Sequence, residues 1–274
     1  MALLEKIIGI LETAGKIPAI FGTYHICCLA LTAIASIFLA WRFKDASDKV
    51  IRGILLVIWF IITALEILKQ LEGAYFVNEY GVPTWSYLWH SLPLQFCSTP
   101  YYCLPFIVFL PDGFWRRSFI SFFTSFSLFA GLVVMIYPGD VFCGTTFLNI
   151  QTMILHGTMV ALGVMLIAHN RRKMGRRYFF GGLLIFYVFA AVAFVLNELL
   201  YYFVLADKPS EAVNLFFISR HYNSTLPLLA DVYKAVPYGV YLVIYFAGFT
   251  LASAIILFIE KGIIALMHNY KRSR

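Results

Sequence analysis

Residues 51–71 read IRGILLVIWFIITALEILKQL, with an Arg near the start and Glu66 and Lys69 near the end. A bilayer core about 30 Å thick takes a helix of about 20 mostly apolar residues, and this stretch is long enough. Six more stretches read the same way: 21–41, 85–110, 118–137, 147–169, 177–205 and 237–260. The composition of all 274 residues agrees, at 61% hydrophobic, 18% aromatic and 13% charged. Soluble domains carry about 25% charged residues, so this chain has too few to cover a water-facing surface. A cytosolic enzyme and a nucleic-acid-binding module are thereby excluded. The expected fold is all-α, a polytopic membrane helical bundle with seven transmembrane helices.

No connection between the stretches is long enough for a separate globular domain. The longest, 206–236, reads as an outer loop with an interfacial or re-entrant piece. Residues 1–18 are too short and too charged for a signal peptide. Leu3, Leu4, Ile7, Ile8 and Leu11 recur at helical spacing on one face, so 1–18 is expected as an interfacial amphipathic helix. A single transmembrane domain then covers 19–262, and a basic tail 263–274.

The net charge of +7 is explained by sidedness. Fifteen Lys and Arg fall in the 42–52, 111–117 and 170–177 connections and in the tail from Lys261. Six lie elsewhere: Lys6, Lys16, Lys69, Lys208, Arg220 and Lys234. The positive-inside rule puts the N-terminus outside and the C-terminus in the cytoplasm, with the cell membrane as the expected location. Little basic charge is left for nucleic acid. The cluster Arg171, Arg172, Lys173, Arg176 and Arg177 also suits anionic lipid headgroups. The five cysteines show no regular spacing, so neither a disulfide framework nor a zinc site is expected.

Polar groups inside spans are costly and mark function by default. Cys97 lies 12 residues past Trp85 and His156 lies 9 past Phe147, roughly 14–18 Å deep at 1.5 Å per residue. His25, Glu66, His90, Asn197 and Glu198 fall in the outer halves of their spans. Together they predict an outward-opening polar pocket with Cys97 and His156 near its floor. Pro93, Pro100 and Pro105 break the third stretch, each crowding the carbonyl four residues earlier. Such a break supports either a packing kink or a site with free backbone donors. A buried Cys is most often a small hydrophobe, and the residues alone leave both readings open.

The segment Leu-Pro-Leu-Gln-Phe-Cys-Ser-Thr-Pro (92–100) resembles the P-[FL]-[HQ]-[FL]-C segment of the YwaF-like integral membrane proteins, which are related to the animal transmembrane protein 164. Further likenesses are Phe21–His25, Ala130–Phe142, Gln151–Gly157, Asn214–Arg220 and Val236–Tyr238, in order along residues 20–260. The resemblance implies acyl transfer between membrane lipids, with Cys97 as nucleophile and His156 as general base and acid. Gln95 stands where many relatives carry His. Gln95 and Ser98, with His25, Glu66, His90, Asn197 and Glu198, are the expected substrate contacts. The expected partners are phospholipid and lysophospholipid, with no metal or other cofactor. Two other activities stay open: a lipid esterase using water, and a proton-coupled transporter titrating Glu66 and Glu198. A receptor or sensor with an outward pocket is a third class.

Overall fold

The computed structural model describes residues 2–77, 80, 82–171, 175–206, 208 and 211–272, with the backbone alone for 2–5, 260 and 263–272. The side chains of Leu3 and Leu4 of the N-terminal helix, Arg172 and Lys173 of the basic cluster, and the side chains of the 263–274 tail lie outside that description. The helices are α1 (Ala2–Leu11), α2 (Thr23–Phe43), α3 (Asp48–Ala74), α4 (Thr99–Phe109), α5 (Phe114–Phe122), α6 (Leu128–Ile136), α7 (Thr146–Asn170), α8 (Arg176–Phe203), α9 (Leu229–Ala235) and α10 (Tyr238–Arg272). A π-helical turn, Phe123–Ser127, joins α5 to α6 into one rod. A small hairpin, β1 (Tyr75–Val77) against β2 (Pro83–Trp85), follows α3.

Among the described residues, six helices are long and apolar enough to cross a membrane, not seven. Five of them match expected stretches almost end to end, and the rod α5–α6 matches 118–137. The exception is 85–110, where only α4 is a regular helix, preceded by short 3-10 turns at Trp89–Ser91 and Phe96–Ser98. Proline is the cause. Each ring removes an N–H, and the orphaned carbonyls find other donors. The Trp89 carbonyl accepts from Leu92 N at 3.2 Å, that of Phe96 from the Thr99 hydroxyl at 2.9 Å, and that of Tyr101 from the Trp59 indole at 2.8 Å.

Ion pairs gather the turns at one end of the bundle. Arg116, almost fully buried, holds Asp48 at 2.7 Å and the Ile107 carbonyl at 2.8 Å. Asp48 also pairs with Arg52, whose guanidinium reaches the Leu110 carbonyl. Arg117 joins Asp112 to the Tyr178 hydroxyl, and Arg171 pairs with Asp45. The start of α3, the ends of α2, α4 and α7, and the starts of α5 and α8 therefore share one face.

The central helix is α7, enclosed by α2, α3 and α6. Small residues let neighbours approach it, as in membrane bundles generally: a Cβ on Gly131 of α6 would lie 2.9 Å from the His156 carbonyl. The α5–α8 seam is as tight, since a Cβ on Gly182 would sit 2.9 Å from the Phe122 backbone nitrogen. Backbone cannot swing aside as a side chain does. Gly182→Val is therefore expected to cost about 1–3 kcal/mol through overpacking, read as a lower thermal midpoint of the detergent-solubilised protein. An unchanged midpoint would show that the seam tolerates spreading. At the N-terminus, Ile8 and Leu11 are buried and α1 packs on α3 and α7, while Ile7 and Ile10 face outward.

Candidate functional site

His156 lies on the buried face of α7, 3% exposed. Its Nδ1 is 2.7 Å from the Thr152 carbonyl, one turn earlier. A carbonyl only accepts, so Nδ1 carries the proton and Nε2 holds the lone pair. That Nε2 is buried without a hydrogen-bond partner. Burying an imidazole nitrogen unpaired costs free energy that an apolar residue would avoid.

Cys97 sits in the turn Phe96–Ser98, directly before the N-terminus of α4. The depth counted from Trp85 does not apply, because 86–95 is not a regular helix. Counted back from Phe109 it is 12 residues, roughly 18 Å at helical rise. Cys97 is partly buried. All five cysteines are free. Phe96 anchors the turn against Phe186, Phe216 and Phe249, with ring centroids 5.0–5.9 Å apart.

A buried polar network ties the elements carrying Cys97 and His156. Glu66 of α3, 5% exposed, accepts from the Tyr101 hydroxyl at 2.9 Å, Gln70 at 2.7 Å and Gln151 at 3.2 Å, and pairs with Lys69 at 3.0 Å. Gln151 also reaches the Tyr101 hydroxyl at 3.4 Å, joining α7 directly to α4. Tyr101 is one turn beyond Cys97. The Lys69 ammonium lies within electrostatic range of both Cys97 and His156.

The other expected contacts divide. Gln95 and Ser98 flank Cys97, and the Gln95 Oε1 is buried with no hydrogen-bond partner. His25 does not join the site. It is fully buried, its Nδ1 accepts from Phe21 N at 2.9 Å, and its Nε2 donates to the Met135 carbonyl at 2.7 Å. Both nitrogens are spent on clamping α2 to the end of α6. His90 is exposed on the Trp89–Ser91 turn rather than inside a span, because the helix expected to carry it inward does not form. Asn197 clasps the backbone of Leu215, accepting from its N–H at 2.8 Å and donating to its carbonyl at 3.0 Å. Glu198 pairs with His221 at 3.1 Å. Glu66 and Glu198 thus belong to separate networks.

Tyr101 and Gln151 were missed as site residues. Tyr101 stands at i+4 from Cys97, a spacing that shares a helix face, and that was the available signal. Gln151 had none beyond its place in the Gln151–Gly157 run. Among the described residues no three His, Cys, Asp or Glu side chains gather into a possible metal site. Beside α7, an apolar groove of about 420 Å³ runs along α2 and α3, with Ile154 and Gly157 in its wall.

Residues 20–259 match the TMEM164 family. The chain belongs to the TMEM164 family. The match spans every element from α2 to the membrane-crossing part of α10, and so includes Cys97, His156 and the Glu66 network. It carries the transmembrane protein 164 side of the resemblance, not the YwaF-like designation. Nothing matches among curated proteins or among solved structures. TMEM164 membership and six apolar helices make this a multi-pass membrane protein.

Proposed function

We propose that the protein moves a fatty acyl group between membrane lipids through a Cys97 thioester, with His156 as general base and acid. The observation that carries this reading is the His156 imidazole: its Nδ1–H is fixed on the Thr152 carbonyl, and its basic Nε2 is buried and unpaired. Nε2 takes the thiol proton while the Cys97 sulfur attacks a lipid ester carbonyl. The tetrahedral adduct collapses, the C–O bond breaks, and the proton on Nε2 passes to the departing lysolipid alcohol. An acceptor lysolipid then gives its hydroxyl proton to Nε2 and attacks the thioester, and Cys97 leaves and regains the proton.

Negative charge developing near Cys97 is favoured by the N-terminus of α4, which follows it directly. The apolar groove beside α7 suits a lipid tail. In this reading the third crossing is completed by α4 and the irregular segment before it, giving seven crossings. The basic turns face the cytoplasm, the N-terminus lies outside, and the protein resides in the cell membrane.

The test is purified protein incubated with an activated acyl donor and followed by intact mass. One hydroxylamine-labile acyl group mapping to Cys97 supports the mechanism, and its absence under turnover conditions overturns it. Adding lysophospholipid separates transfer from hydrolysis. Transfer yields the acylated lipid, whereas release of free fatty acid alone would make the protein an esterase.

A further inference from the structure

One face of α10 carries three tyrosines in a row, Tyr238, Tyr241 and Tyr245, at a spacing that stacks side chains along a helix. The first two hold the loop that precedes α9. Tyr238 donates its hydroxyl to the Ile218 carbonyl at 2.6 Å, and Tyr241 to the Phe217 carbonyl at 2.7 Å. Tyr245, one turn further along, is fully buried, and its hydroxyl has no hydrogen-bond partner among the described residues. Buried tyrosine hydroxyls normally find a partner. Leaving one unpaired costs free energy that phenylalanine would avoid.

The ring is fixed by phenylalanines, with centroids 4.6 Å from Phe249 and 5.3 Å from Phe246. Phe249 packs in turn at 5.0 Å on Phe96, the residue before Cys97. Cys97 lies within electrostatic range of the Tyr245 phenol. Other donors close to Cys97 along the chain are already engaged. The Ser98 N–H goes to the Gln95 carbonyl at 2.9 Å, the Thr99 N–H goes to the Phe96 carbonyl, and Pro100 has none. The Tyr101 hydroxyl donates to Glu66, and Lys69 pairs with the same carboxylate.

We propose that the Tyr245 hydroxyl is an oxyanion donor for attack by Cys97, a catalytic residue contributed by α10. The assignment rests on the Cys97 thioester reading. As the sulfur bonds to the ester carbon, one C=O electron pair moves onto the oxygen. Tyr245 donates a hydrogen bond to that oxygen and keeps its proton. The pair then re-forms C=O while the bond to the lysolipid oxygen breaks, and that oxygen takes the proton held on His156 Nε2. A donor locked in place before the charge develops needs no reorganisation at that moment. The same hydrogen bond serves the second attack, by the acceptor lysolipid on the thioester.

The test is Tyr245→Phe in the full-length, detergent-solubilised protein, read through two reactions of Cys97. Both need the thiol proton removed. Acylation by the activated donor develops an oxyanion, whereas alkylation by iodoacetamide displaces iodide and develops none. Acylation, followed by intact mass against time, should slow about 10²–10³-fold, the usual effect of losing one such donor. Alkylation at Cys97, mapped by peptide mass spectrometry, should keep the wild-type rate. The thermal midpoint should stay level or rise, because an unpaired buried hydroxyl has been removed. Acylation of Tyr245→Phe at the wild-type rate overturns the proposal. Equal slowing of both reactions also overturns it, and would make Tyr245 a packing element of the Cys97 turn. A wild-type protein alkylated at Cys97 but never acylated removes the thioester itself, and the assignment of Tyr245 with it.

Discussion

Cys97→Ala is expected to abolish the acyl adduct, and His156→Gln to slow its formation by about two to four orders of magnitude, the usual contribution of a positioned general base. The two substitutions are informative because neither removes a structural bond from the rest of the protein. The His156 Nε2 has no partner to orphan, and a glutamine amide retains a donor for the Thr152 carbonyl. Cys97 is small and only partly buried, so alanine removes one sulfur and little packing. The folded population, followed by size exclusion and circular dichroism in detergent, should stay at the wild-type level. The rate of adduct formation, followed by intact mass against time, should fall. Acylation of His156→Gln at the wild-type rate would remove His156 from the chemistry. An adduct persisting in Cys97→Ala would remove the thioester.

Asn197→Leu is expected to be the most destabilising of the substitutions considered. Its side chain satisfies both backbone groups of Leu215, within hydrogen-bond distance on each side, and Asn197 and Leu215 are both buried. Leucine leaves the Leu215 N–H without a partner, at about 1–3 kcal/mol, and takes one of two donors from its carbonyl, which keeps Ile218 N at 3.3 Å, at about 0.5–1.5 kcal/mol more. The loop held by this clasp is already strained, since Phe216 and Phe217 adopt left-handed φ values of 56° and 59°. Phe216 is also the ring that packs on Phe96 beside Cys97. The variant should therefore show both a lowered thermal midpoint and a slower acylation of Cys97. A wild-type midpoint would mean that the clasp is dispensable. Normal acylation in a destabilised protein would mean that the loop does not support the Cys97 turn.

Asn197 also shows where reading residues in order stops. An intramembrane amide was expected to shape a substrate pocket, and at the level of cost that reasoning holds: a buried amide must be paired. What the chain order does not display is that residue 215 folds back to provide the partner. His25 is the same case, with both nitrogens taken by backbone from positions 21 and 135. Glu66 differs, because its pairing with Lys69 was legible at i+3, while Tyr101 and Gln151 arrive from helices 35 and 85 residues away.

The sequence by itself determined the class of solvent, the places of the long helices, and the pair Cys97 and His156 as the residues to watch. Those follow from local quantities: runs of apolar side chains long enough for a bilayer, prolines that forbid regular helix, and the scarcity of polar groups at depth. Only the tertiary structure decided that 85–110 is a half-length helix behind an irregular entry. Its backbone stays viable because Trp59, from another helix, supplies the donor that Pro105 cannot. Only the tertiary structure, likewise, separated polar residues spent on holding backbone from those left unpaired. Hydrogen bonding is satisfied between whichever groups the fold brings within about 3 Å, and that proximity is not written in chain order.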